Sequence, residues 1–145
     1  MIELNANQIA EATGGRLTAT VDPTTVVTSA NTDSRDMSPG ALFIARRGET
    51  TDGHNFITAA RQAGATLVLA ERETQDKQGV IDPAIIVEDS TRAMGHLARY
   101  IVEKIREHSE TTVIAITGSV GKTSTKDALA AILANQGPAI APQGS

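Results

Sequence analysis

At 145 residues the chain has room for one full domain, or for one small domain and part of another, and a chain that is 40% hydrophobic but only 2% aromatic must build an aliphatic core. A net charge of −4, no dense Lys/Arg block and only Phe43, Phe56 and Tyr100 as rings argue against a nucleic-acid groove or a base-stacking platform. The absence of cysteine leaves no disulfide scaffold or thiolate zinc site, and His54, His96 and His108 lack metal-ligand spacing. With no signal peptide, transmembrane run or lipidation motif visible after Met1, the expectation is a cytoplasmic protein without membrane insertion.

Asn7 is placed to cap a short helix over Gln8 to Thr13, which Gly14 and Gly15 end, and Arg16 to Thr20 leaves room for a brief strand. Val26 and Val27 begin a second strand that runs into the polar cluster Ser29 to Arg35. Ser38-Pro39-Gly40 marks a turn, and Ala41 to Ala45 reads as a buried strand. The run Thr32-Asp33-Ser34-Arg35 admits two readings. It is either an Asx or Ser turn in which Asp33 pairs Arg35, or a set of hydroxyls and a guanidinium fork presented to a diphosphate or nucleoside.

The turn-rich loop from Arg46 to Phe56 feeds a helix to about Gln62, with Asp52 as its cap, Phe56, Ile57 and Ala60 as its inner face and Gly64 as its stop. Thr66 to Ala70 and Ala84 to Val87 are short apolar strands, and the polar span Glu71 to Asp82 reads as a surface connection. Asp89 or Ser90 caps the longest helix, with Met94, Leu97, Ala98, Ile101 and Ile105 as its core stripe. His108 to Thr111 is polar and ends that helix, which places a domain boundary there, dividing residues 1–108 from 109–145. The fold class predicted is α/β: a small domain on a mixed sheet, followed by the first β-α unit of a phosphate-loop domain.

That unit carries the plainest chemistry. Val113 to Ile116 reads as a buried strand, Thr117-Gly118-Ser119-Val120-Gly121-Lys122-Thr123 as a glycine turn, and Lys122 to Asn135 as a helix with Ala128, Leu129, Ile132 and Leu133 inward. Glycines let backbone N–H groups approach an anion, and a helix start directs its positive end at the same spot. Lys122 then suits the β- and γ-phosphates of ATP, and the Thr123 hydroxyl suits Mg2+. Ile116 stands where the general phosphate-loop pattern wants its first glycine, so this is a tighter variant.

Taken together, T-D-S-R (32–35), P-G-A-L-F-I-A-R-R-G (39–48), D-G-H-N-F (52–56) and I-T-G-S-V-G-K-T (116–123) resemble the amino-terminal part of a Mur ligase, one of the ATP-dependent amide-bond-forming enzymes of peptidoglycan synthesis. The T-G-S loop with Lys126-Asp127 after it is more similar to the type that adds D-alanyl-D-alanine than to the type that adds the third amino acid. Val120, where many relatives carry Asn, departs from the pattern. The resemblance implies that residues 1–108 bind the UDP-N-acetylmuramoyl-peptide, with Thr32, Asp33, Ser34, Arg35, Arg47, Gly48, Asp52, Gly53 and His54 as substrate-binding residues. It implies that 109–145 opens the central ATP-binding domain, with Thr117, Gly118, Ser119, Val120, Gly121, Lys122 and Thr123 on ATP, Lys122 catalytic and Thr123 on Mg2+.

A monomer is the corresponding expectation. Further Mg2+ ligands and a modified lysine would lie beyond Ser145, so this chain by itself is expected to be inactive. Three rival readings stay open: a ligase adding the third amino acid, a non-catalytic UDP-sugar-binding module, and an unrelated phosphate-loop ATPase or kinase. The last leaves the clusters before residue 55 unexplained.

Overall fold

The structure, a computed structural model, describes residues 2–142, and the ends of the expected domains at 1 and 145 lie outside the described residues. The chain separates into two compact units, Met1–Ser109 and Glu110–Ser145.

The first unit runs β1 (Leu4–Asn5), α1 (Ala6–Thr13), β2 (Arg16–Leu17), β3 (Val26–Val27), β4 (Ser29–Asn31), β5 (Ala41–Ile44), a 3-10 turn (Gly53–Phe56), α2 (Ile57–Gln62), β6 (Ala65–Ala70), β7 (Ala84–Ile86) and α3 (Ser90–Arg106). β1 and β3 form a separate antiparallel pair, while five strands form the main sheet in the order β2-β7-β6-β5-β4. β4 to β7 are parallel and β2 is antiparallel to β7, so the sheet is mixed as predicted. Although the connection from β4 to β5 is too short for a helical crossover, Ser29 to Asn31 pair with Ala41 to Phe43 in parallel. The loop 32–40 makes the return without a helix, and the antiparallel member is the edge strand β2 instead.

Alternation along the strands sorts the core into two faces. Leu42, Ile44, Leu67, Leu69 and Ile85 face α1 and α3 through Ile9, Ala10, Ala93 and Leu97. Phe43, Ala45, Val68, Ala70 and Ala84 face α2 through Ile57 and Ala60. With helices on both faces, the central strands are apolar throughout, which is why they read as runs rather than as alternating segments.

Several local expectations are corrected. The cap of α1 is Asn5 rather than Asn7: its side chain accepts from Gln8 N–H at 2.8 Å while Gln8 Oε1 accepts from Asn5 N–H at 2.9 Å, a reciprocal capping box. Asn7 is the second residue of the helix, and its Nδ2 donates to Glu11 Oε1 across the exposed face. Phe56 stays partly exposed because the 3-10 turn rotates it away from the face that Ile57 and Ala60 bury. On α3, Ala93 is buried and Ala98 exposed, while Met94, Ile101 and Ile105 are only half-buried. The span Glu71 to Asp82 is not wholly surface: Asp82 is buried, with Arg61 Nη1 donating at 2.7 Å and Thr74 Oγ1 at 2.8 Å. Those two donors satisfy both carboxylate oxygens, which makes the burial tolerable.

In the second unit, α4 (Lys122–Leu133) forms as predicted, but the expected strand Val113 to Ile116 does not. No strand is present among the described residues of that unit for it to pair with, and an unpaired strand has no ladder to satisfy its backbone. Val113 and Ile114 are accordingly more than half exposed. On the face Ala128, Leu129, Ile132 and Leu133, Ala128 and Ile132 are exposed and the two leucines only half-buried, and no residue of α4 is buried.

The capping geometry separates two neighbouring asparagines. Asn5→Ala should lower stability by about 1 kcal/mol and Asn7→Ala by about 0.5 kcal/mol or less, read as a shift of the urea midpoint. Equal losses would contradict the assignment of Asn5 as the cap.

Candidate functional site

Parallel pairing of β4 to β7 brings the carboxyl ends of four strands to one edge of the sheet, the place where open α/β sheets present their loops to ligands. The chain leaves β4 into Thr32 to Arg35, β5 into Arg46 to His54, β6 into Glu71 and Arg72, and β7 into Glu88 to Ser90. All nine residues expected at the substrate end lie on the first two of these loops.

The loop after β4 is a tight polar turn. Asn31 Oδ1 accepts from the N–H groups of Thr32 and Asp33, and Asn31 Nδ2 donates to Asp36. Asp33 accepts from Arg35 Nε at 2.9 Å and Nη2 at 2.6 Å, the pairing that the turn reading anticipated. Hydrogen bonds from Arg35 hold the Asp33 carboxyl down to about 2. The Arg35 side chain is nevertheless 88% exposed, so its outer edge stays open to a ligand.

The loop after β5 doubles back, with Arg47 bridging Asp52 and Gly48 N–H donating to Thr51 O at 2.8 Å. Gly53 is required by close approach: its N–H donates to Arg46 O, and a Cβ there would stand 2.5 Å from that oxygen and 2.7 Å from Arg46 N. Asp52 caps the 3-10 turn by accepting from His54 N–H at 3.0 Å.

His54 is the buried centre of this edge. Its Nε2 accepts the Glu71 N–H at 2.9 Å, which places the ring proton on Nδ1, 2.6 Å from Asp52 Oδ1. Both ring nitrogens are engaged and the side chain is fully covered, so His54 holds the loop to the end of β6 rather than facing solvent. Around it stand residues that the sequence reading did not single out. Arg72 Nη2 donates to Asp52 Oδ2 at 3.0 Å, Arg47 Nε meets Glu71 Oε2 at 3.0 Å, and Glu71 Oε1 accepts from both N–H and Oγ of Ser90. Their position directly after β6 and at the start of α3 was the available signal.

In the second unit, Gly121 takes a left-handed φ of 80° at the cap of α4 and Gly118 a φ of 151°. Lys122 Nζ donates to Gly118 O at 2.7 Å, folding the side chain across Ser119 and Val120. Thr117, Ser119, Gly121 and Thr123 line this exposed turn at the helix start, where the first-turn N–H groups lack intrahelical acceptors. The arrangement fits a phosphate chain, with one mobile cation and a hydroxyl beside it. Among the described residues no cluster of three or more His, Cys, Asp or Glu is spaced for a metal ion, so Thr123 would be a single ligand here.

The hydrogen bonds from His54 N–H and the His54 ring, with Arg72 beside them, hold the Asp52 carboxyl well below the usual carboxylate range. In the unfolded chain this group protonates near pH 3.9, so its contribution is present above about that pH and is lost as pH falls toward the lower folded value. Unfolding measured from pH 6 down to pH 2.5 should therefore show the stability gap between the wild type and Asp52→Asn narrowing below about pH 4. A gap independent of pH would contradict the Asp52 network.

Comparison with known proteins agrees with this architecture. The model of the Mur ligase family, catalytic domain, matches residues 26–101. The UDP-N-acetylmuramoyl-tripeptide--D-alanyl-D-alanine ligase of Buchnera aphidicola is 38% identical over 97% of this chain and 30% of its own length. A crystal structure of MurF from Acinetobacter baumannii superposes with a TM-score of 0.74 at 32% identity, covering 94% of this chain and 28% of that one. MurF ligase from Thermotoga maritima in complex with ADP gives a TM-score of 0.57 at 36% identity over 76% of this chain and 24% of its own. The chain thus spans about 30% of the length of the curated relative. A family match over more than half of its residues, with relatives aligned along nearly all of it, means that the chain belongs to the Mur ligase family.

Proposed function

We propose that this chain supplies the UDP-sugar end and the phosphate loop of an ATP-dependent ligase that adds D-alanyl-D-alanine to UDP-N-acetylmuramoyl-tripeptide. The observation that carries the reading is the extent of the match: similarity to UDP-N-acetylmuramoyl-tripeptide--D-alanyl-D-alanine ligases runs through both the loop cluster at the sheet edge and the phosphate loop. A generic phosphate-loop ATPase would share only the second. The ADP bound by the Thermotoga maritima relative supports a nucleotide as the occupant of the loop.

At the sheet edge, Arg35 and Arg47 present guanidinium groups suited to a diphosphate. Thr32 and Ser34 offer hydroxyls to the nucleoside or sugar, and Gly48 and Gly53 keep the loop low enough for close approach. Asp52 and His54 act beneath them by fixing the loop. Binding energy collected at this remote end positions the substrate's carboxylate for reaction, which is where such energy raises turnover.

In the phosphate loop, Lys122, now bonded to Gly118 O, would hold the β- and γ-phosphates, and the N–H groups from Gly118 to Thr123 would offset the negative charge that develops there. MgATP, when bound, supplies the phosphoryl group that activates the carboxylate, with Thr123 on the metal. The loop is exposed throughout, so the chain alone should hold MgATP weakly and ligate nothing. Cytoplasmic residence and a monomeric state belong to the same reading. No helix among the described residues is long and apolar enough to cross a membrane.

Calorimetric titration with the UDP-N-acetylmuramoyl-tripeptide should show saturable binding that Arg47→Ala weakens by about 1.5–3 kcal/mol, the scale of a hydrogen bond to a charged group. Lys122→Ala should leave that binding unchanged. No binding by the wild-type chain would overturn the reading, as would a loss confined to Lys122→Ala.

A further inference from the structure

We propose that Glu71 is a positioning residue for Arg47, holding the guanidinium ready for the diphosphate of a UDP-sugar; the inference rests on reading this sheet edge as the substrate end. Glu71 directly follows β6 and its side chain is only 17% exposed, far from the usual state of a glutamate in a loop.

Glu71 is held from three sides. The Glu71 backbone N–H donates to His54 Nε2 at 2.9 Å, fixing the residue where the strand ends. Its Oε1 accepts from Ser90 N–H at 3.1 Å and from Ser90 Oγ at 3.0 Å, and Ser90 is buried at the first position of α3. Oε2 is thereby turned toward Arg47 Nε, 3.0 Å away. An acid at a helix start is also favoured by the helix dipole, and the two hydrogen bonds from Ser90 keep Glu71 in place without Arg47.

The consequence lies in which edge of the guanidinium is used. Glu71 engages Nε, so the two Nη groups are left for an anion, while the Arg47 side chain stays 63% exposed. A free arginine loses rotamer freedom when it binds, and that loss weakens affinity. Here the loss has largely been taken before the ligand arrives. Against this stands the negative charge of Glu71, which repels a diphosphate. The sign of the Glu71 effect on anion binding therefore separates positioning, which tightens it, from plain charge, which weakens it. A merely structural ion pair would move neither.

The test is calorimetry on the chain with uridine 5′-diphosphate and with uridine as probes, for the wild type, Glu71→Gln, Arg47→Ala and the double variant. Positioning predicts that Glu71→Gln weakens the diphosphate about tenfold, leaves uridine unchanged, and adds no further loss to Arg47→Ala. Ser90→Ala guards against a folding defect: it removes one hydrogen bond to Oε1 and should give a smaller loss of the same selectivity, again absent beside Arg47→Ala. Unchanged or tighter diphosphate binding by Glu71→Gln, with Arg47→Ala still weakened, overturns the role of Glu71 and leaves the proposed function standing. Equal losses for uridine and the diphosphate also overturn it, because they report general disturbance of the edge. A wild-type chain that binds neither probe overturns the reading of the edge itself and the role of Glu71 with it.

Discussion

The imidazole of His54 joins two strand ends that the sheet alone would leave free, and most of the chemistry at this edge depends on that junction. Its Nε2 takes the N–H of Glu71 just as β6 ends, and its Nδ1 meets the carboxylate that caps its own turn. Burial strengthens both bonds, since no water competes for the ring. Through Asp52 the junction reaches Arg72, and through Glu71 it reaches Arg47 and the first turn of α3. A buried histidine thus sets exposed arginines in place.

Parallel pairing is the second constraint. Because β4, β5, β6 and β7 run the same way, every polar segment that follows one of them arrives at the same edge. Two of those segments were legible in the sequence as clusters, Thr32 to Arg35 and Arg47 to His54, because they combine turn residues with guanidinium groups. The other two were not. Glu71 and Arg72 open a span that looks like an ordinary charged connection, and Ser90 looks only like the start of a helix. Their roles come from register between distant strands, which composition does not carry. The same holds for Asp82, whose burial depends on Arg61 and Thr74 meeting it in space.

Helices and central strands were readable because their signals are local: Asp89 before the long amphipathic helix, Gly14 after the first, and apolar runs at 41–45, 66–70 and 84–87. The misplaced cap at Asn7 shows where such signals fail, since Asn5 and Asn7 are chemically identical and only the Gln8 side chain decides between them. Val113 to Ile116 failed for a different reason. The residues have strand character, but a strand is a pairwise object, and none is available in its unit among the described residues. The glycine turn beside it keeps its form because left-handed Gly121, the helix start and the Lys122 bond to Gly118 are all local.

The central claim is that the carboxyl edge of the parallel sheet, pinned by His54, receives the UDP-sugar. Amide chemical-shift mapping by NMR during titration with UDP-N-acetylmuramoyl-tripeptide tests it most directly. The account predicts the largest shifts among residues 31–35, 46–54, 71–72 and 88–90. Shifts concentrated instead at 117–125, or spread along α1 and α3 away from that edge, would contradict it.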